Sequence, residues 1–352
     1  MERSKVRMPW IDISKAICMF FIVLGHVCKA NYETDSLRIF CYSFNAQAFF
    51  FISGLTLFGV NRLELTQIKS INFVQEIKRW GRRLIRPYLI WGSISIIVYV
   101  IIEEISSGNG FSSIKYYFLA MLFGNSTSEF FKWNRPLWFL PCLFVLLCLA
   151  GCILWVCSRF KRTVFYGLVL VCLIISFVFS SIIDFSMASR YNYWHWMTAI
   201  AMFPMIIFGF VYKELYSKVN RKSRLVNGAA AILLLIMSVL LGSNSVYTDL
   251  RQGCFHGYTR FISVSVLLSL SVILFSQAIK KCDSLEYIGK HTMEILVLHK
   301  FPILFFQLFC PVVKDYLASG SILFEFICTI VSIIVAVFTS KMIDKLLKFN
   351  MF

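Results

Sequence analysis

Long apolar runs, separated by short polar or basic stretches, follow one another along the whole chain. About ten of them approach the ~20 residues that a helix needs to cross the hydrocarbon layer. They lie at 9–30, 37–60, 84–103, 136–157, 163–183, 193–213, 225–243, 260–279, 287–310 and 322–343. The segment 111–124 is too short to span and reads as an interfacial or re-entrant helix. In lipid a spanning segment must satisfy its own backbone, which a helix does. The pattern therefore predicts an all-α polytopic membrane protein, with 1–352 as a single membrane-embedded domain.

Composition supports the same reading. The chain is 59% hydrophobic and only 15% charged, where soluble domains run nearer ~45–50% apolar. One core cannot hide that much apolar surface, so the lipid bilayer is the first partner. The net charge of +17 would suit nucleic acid, but its distribution excludes that partner. With alternate loops assigned to alternate sides, about 24 Lys and Arg fall on the side of the termini and about 10 on the other, Lys15 being set aside as intramembrane. That bias predicts both termini in the cytoplasm. Arg3, Lys5 and Arg7 ahead of an apolar run resemble a signal peptide, but Asp12 and Lys15 interrupt the run, so it reads as an uncleaved first helix.

The 12 cysteines form no CxxC pair and mostly sit in apolar runs as small packing residues. Cys28, Cys41, Cys254 and Cys310 fall toward the outer side, which allows a disulfide without implying one. No phosphate-loop or zinc motif is present, and Gly289-Lys290-His291 lacks the upstream glycine of such a loop. The sequence implies no metal and no bound cofactor.

Ionisable groups inside spans are costly and are candidates for chemistry. The first span carries Asp12, Lys15 and His26. Lys15 and His26 fall about 20° apart around a helix and roughly 16 Å apart along it, as the lining of a polar channel would. Asp12, one turn before Lys15, can neutralise it; an interfacial salt bridge is the plain alternative. Arg79, Arg82, Arg83 and Arg86 recur at helical spacing before Pro87. They read either as a topology anchor or as a phosphate clamp, since guanidinium forks grip phosphate. His299, with Glu294 about a turn before it, lies near mid-membrane and reads equally as a structural bond or as part of a reaction chamber. His195, flanked by Trp194 and Trp196, reads as part of an outer aromatic belt. His256 and His291 receive no role.

At these residues the chain resembles a known family. Trp10-Ile11-Asp12-Ile13-Ser14-Lys15-Ala16 followed by Val23-Leu24-Gly25-His26 is similar to the first helix of the acyltransferase-3 membrane family, in particular its fucose 4-O-acetylase-like branch. Phe49-Phe50-Phe51-Ile52-Ser53-Gly54, Arg82-Arg83-Leu84-Ile85-Arg86-Pro87-Tyr88 and Pro136-Leu137-Trp138-Phe139-Leu140-Pro141 resemble its second, third and fourth helices. Tyr287-Ile288-Gly289-Lys290 through Leu298-His299 resembles the ninth. Five motifs in the family's order cover nearly the whole chain.

The resemblance implies a ten-helix O-acyltransferase of the bacterial inner membrane. It would move an acyl group, usually acetyl, from cytoplasmic acyl-CoA to a sugar hydroxyl of a cell-surface or lipid-linked polysaccharide. Acetyl-CoA would be a co-substrate. His26 matches the family's catalytic histidine, with Lys15 and Asp12 as its charged companions. Arg82, Arg83, Arg86 and Tyr88 would bind the donor. His299, Glu294 and Trp138 form the candidate acceptor or proton-shuttle set. Two departures stand out. Lys15 replaces the usual arginine and loses its fork, and Asn45-Ala46-Gln47 stands where many relatives have His-Met-Pro. The hydrolase-like domain that some relatives append is not expected here. A transporter or flippase of a lipid-linked glycan is the rival class; it predicts broken helices in two related halves. A glycan polymerase would favour an acid-rich outer loop, and the segment 104–135 has few acids.

Overall fold

The computed structural model describes residues 8–28, 35–59, 65–124, 134–183, 187–188, 191–218, 223–242, 248–253, 255, 257–279 and 281–347. Arg3, Lys5, Arg7, Cys254 and His256 lie outside the described residues. The fold is 87% helix and no strand occurs among the described residues, so the molecule is all-α. Among the described residues eight helices are long and apolar enough to cross a membrane, or up to 10 if each of two bent helix pairs counts as one span.

These spans fall on the ten apolar runs: Pro9–Val27, Ser36–Thr56, Phe73–Ile105, Arg135–Cys157, Arg162–Ile182, the pair Tyr193–Ala201 and Phe203–Tyr216, Arg224–Gly242, Tyr258–Ala278, the pair Thr292–Gln307 and Pro311–Ala318, and Ile322–Ile343. They are called the first to tenth spans below. The segment expected to be too short to span is a separate helix, Gly110–Phe123.

The differences from the sequence pattern have local causes. The third span begins at Phe73, not 84, because its first turns are amphipathic. Trp80 is buried there while Lys78 and Arg79 are exposed, and the mixture lowers the mean hydropathy. The second span breaks at Ser43–Phe44 into Ser36–Tyr42 and Asn45–Thr56. The ninth is bent by 102° before Pro311, whose ring cannot continue a straight helix.

Two compact units share the chain. One comprises Met1–Glu64, Met205–Thr248 and His256–Phe349, and the other Leu65–Pro204, Asp249–Phe255 and Asn350–Phe352. At the centre of the former is the first span, which starts with Pro9 in the first helical turn, where its missing N–H costs nothing. It packs on Asp283–Lys290, the eighth and tenth spans and both pieces of the second. A Cβ at Gly289 would fall on the Asp12 backbone, so only glycine permits this contact. Two-thirds of the first span's apolar window is buried in protein (67%), against 11% for the seventh span, whose apolar surface is left for lipid. Lys213 caps the end of the second span, donating to the carbonyls of Leu57 and Gly59 at 3.3 and 3.0 Å.

The latter unit holds the third to fifth spans. Phe73 stacks on Trp155 at 5.6 Å, and the Trp155 indole donates to the Ile71 carbonyl at 3.2 Å. Arg159 lies over the same indole at 4.1 Å. Aromatic packing thus fixes the basic start of the third span against the end of the fourth.

Candidate active site

His26 lies in the last turn of the first span, half-buried. Tyr42 and His299 both meet its ring. The Tyr42 hydroxyl is 3.2 Å from Nδ1, with the two rings at 87°. The His299 ring stacks against it, centroids 5.3 Å apart and planes 23° apart. Gly25 makes the approach of Tyr42 possible, since a Cβ there would sit 3.0 Å from the Tyr42 ring and 3.2 Å from the Cys41 Cβ. Tyr42 is itself held from two sides. Gln47 Nε2 donates to its carbonyl at 2.7 Å, and the Arg38 guanidinium lies 5.2 Å from its ring centroid.

His299 is fully buried between the helical pieces Thr292–Leu298 and Lys300–Phe309. Its Nδ1 is 2.7 Å from the Ile295 carbonyl. A carbonyl can only accept, so Nδ1 carries the proton and Nε2 of the neutral ring holds the lone pair. That Nε2 is buried without a hydrogen-bond partner among the described residues. Lower on the first span, Lys15 donates to Asp12 Oδ1 at 3.4 Å, the expected i,i+3 pair; Asp12 is buried and Lys15 partly exposed.

The basic stripe occupies an unusual piece of helix. Gly81–Ile85 is a π-turn in which the Arg86 N–H reaches back to the Gly81 carbonyl. Pro87 follows at once and has no N–H to give to the carbonyl of residue 83, and the wide turn absorbs the mismatch. Arg82, Arg83 and Arg86 are all exposed there. Arg79 is paired with Glu76 one turn before.

Other expected site residues have different surroundings. Tyr88 is not available to a donor: its ring is 1% exposed and its hydroxyl donates to the Met121 carbonyl at 2.6 Å. Glu294 is not the partner of His299 Nδ1, because the Ile295 carbonyl is, and five residues of helix turn Glu294 about 140° away from it. Trp138 is buried edge-to-face against His195 at 5.2 Å. His195 is 0% exposed, so it belongs to no lipid-facing belt. It and Trp194 both have positive φ, +55° and +52°, a conformation disfavoured for residues with a Cβ. His291 bonds the Tyr287 carbonyl one turn back, a local helical contact.

A family model described as an acyltransferase domain, Acyl_transf_3, matches residues 8–341. The chain belongs to this acyltransferase family. The match covers nearly all of it and does not distinguish the fucose 4-O-acetylase-like branch. No curated protein and no solved structure matches the chain. With eight to ten apolar helical segments among the described residues and this membership, the protein is a membrane acyltransferase.

In such an enzyme the residues that sequence reasoning missed are Tyr42, Gln47 and Arg38. Tyr42 ends a short helix, and nothing in its own neighbourhood of sequence ties it to His26. The departure at Asn45-Ala46-Gln47 carried the only signal, since Gln47 is 0% exposed and spends its amide on the Tyr42 backbone.

Proposed function

We propose that this membrane acyltransferase transfers an acyl group, acetyl being the expected one, from cytoplasmic acyl-CoA to a sugar hydroxyl of a cell-surface or lipid-linked polysaccharide at a bacterial inner membrane. The observation that supports it most is the stacked pair of His26 and His299, with Tyr42 on His26 Nδ1. In this reading His26 donates Nδ1–H to the Tyr42 oxygen, which leaves the Nε2 lone pair as general base. Nε2 takes the proton of the acceptor hydroxyl as its oxygen attacks the thioester carbonyl carbon. The C–S bond then breaks, and the leaving CoA thiolate takes up the proton. The products are an O-acyl ester and the free thiol of CoA. His299 Nε2, an acceptor by its tautomer, holds the hydroxyl hydrogen or relays the proton. Arg82, Arg83 and Arg86 bind the CoA phosphates. Asp12 orients Lys15, whose charge faces the donor.

The test is release of CoA thiol from acetyl-CoA by the purified protein, together with transfer of labelled acetyl to membrane glycan. A transporter would move glycan without thioester turnover. Intact protein that releases no thiol and labels no glycan sinks the proposal.

A further inference from the structure

The end of the first span carries a second constellation, distinct from His26. The Cys28 Sγ, an Asp35 carboxylate oxygen and a Glu325 carboxylate oxygen all lie within 4.8 Å of one another. Glu325 is nearly 300 residues from Cys28 and Asp35, so no ligand-spacing motif announces the set. Glu325 is 2% exposed, and its Oε1 has no hydrogen-bond partner among the described residues. Asp35 spends Oδ1 on capping the next helix, accepting from the N–H groups of Leu37 and Arg38 at 2.9 and 3.2 Å. A buried carboxylate oxygen left without a donor is costly unless a cation completes it.

We propose that Cys28, Asp35 and Glu325 form a binding site for a divalent cation of the zinc class. A thiolate beside two carboxylates selects zinc over magnesium or calcium. Zinc–sulfur and zinc–oxygen bonds of ~2.3 and ~2.0–2.2 Å put tetrahedral donors roughly 3.3–3.6 Å apart. From within 4.8 Å, small side-chain rotations reach that spacing. Charge agrees as well. Arg38, 6% exposed, donates Nη1 to the Cys28 carbonyl at 3.1 Å. A thiolate, two carboxylates and this guanidinium sum to two negative charges, which a dication cancels. Binding releases the thiol proton to solvent. The three ligands leave a fourth position for water.

The cation would tie three elements together at the His26 end of the unit. Cys28 caps the first span two residues after His26, Asp35 caps the helix that carries Tyr42, and Glu325 lies in the first turn of the tenth span. The inference stands independently of the acyl-transfer reading, since a structural cation requires no thioester chemistry.

The experiment uses full-length protein in detergent, stripped with a chelator and titrated with cobalt(II), the probe ion. Wild-type protein is expected to bind about one cobalt with a near-ultraviolet thiolate-to-cobalt absorption band, and zinc should displace it. Cys28→Ser should lose the band, while Cys172→Ser, a thiol elsewhere, keeps it. Glu325→Gln should weaken cobalt affinity by more than the ~10–100-fold that loss of an outer-shell partner costs; it decides the matter if Cys28→Ser does not fold. The proposal is overturned by the absence of a band in wild type. Band and affinity unchanged in the two ligand variants, meaning an adventitious ion only, would also overturn it. So would a Cys28–Cys41 disulfide found by mass in the purified protein.

Discussion

An amide can replace a histidine in a hydrogen bond but not in a proton transfer. If His26 only packed helices, His26→Gln would retain much of the activity. As general base it cannot, and both His26→Gln and His26→Ala are expected to lose the ~10²–10⁴-fold that such catalysis supplies, with membrane insertion and acyl-CoA binding kept. Labelled-acetyl transfer by the correctly inserted variants is the measurement, and appreciable transfer by His26→Gln removes the base role. Tyr42 acts on His26 through one hydrogen bond. Tyr42→Phe keeps the ring packing and should lower kcat about two- to tenfold, the worth of a bond of ~0.5–1.5 kcal/mol, with the KM for acyl-CoA unchanged. An unaltered kcat would leave Tyr42 a packing residue. His26 stood out because an ionisable side chain deep in an apolar run is costly, and Lys15 was read with its salt-bridge alternative, the pairing with Asp12 that the structure contains. Tyr42 and Gln47 did not stand out, because a tyrosine and an amide near a helix end look ordinary until the chain folds back.

The helices themselves could be read from hydropathy, but their breaks could not. An average over a window records how apolar a segment is and is blind to the dihedral angles at which it bends. Ser43–Phe44 in the second span and the 102° bend in the ninth therefore left no mark on the pattern. Tyr42 ends the first piece of the second span, next to its break, whereas His299 caps the α-helix Thr292–Leu298, well before the bend at Pro311. Tyr88 illustrates the opposite error. The motif placed a phenol beside three arginines, whereas the helix turns it inward to the Met121 carbonyl. The arginines stay outward on their π-turn. Changing Arg83 and Arg86 together to Gln should weaken CoA binding at least tenfold, since a charge-assisted hydrogen bond is worth ~1.5–3 kcal/mol. Equilibrium binding of CoA to the purified double variant decides it. Unchanged affinity would make the stripe a topology anchor.

For the whole molecule, the ten apolar runs correspond among the described residues to eight candidate spans and two bent helix pairs, eight to ten spans in all, because burial in lipid demands length and apolarity and little else. The division into two compact units was not legible. Segments distant in sequence build each unit, and no linker or change of composition marks the passage between them. Orientation rests on a different physical quantity, the asymmetry of basic residues. About 24 against about 10 is a large bias, and Lys and Arg are retained on the cytoplasmic side during insertion. Some of these residues also have structural work, as Lys213 does at the end of the second span, yet a helix cap needs only one cation and cannot account for the excess. The orientation follows from parity as well: an even number of spans puts both ends on one side, and a single missed span would put them on opposite sides. Reporter fusions at Met1 and at Phe352 are therefore both expected to report cytoplasm. A fluorescent reporter that matures only inside the cell and a phosphatase that folds only outside it give opposite readings of the same junction. Phosphatase activity at Phe352 alone would mean an odd number of spans, which points to one of the two broken helices as re-entrant. Activity at both ends would invert the protein and place the arginine stripe on the side where no acyl-CoA is found.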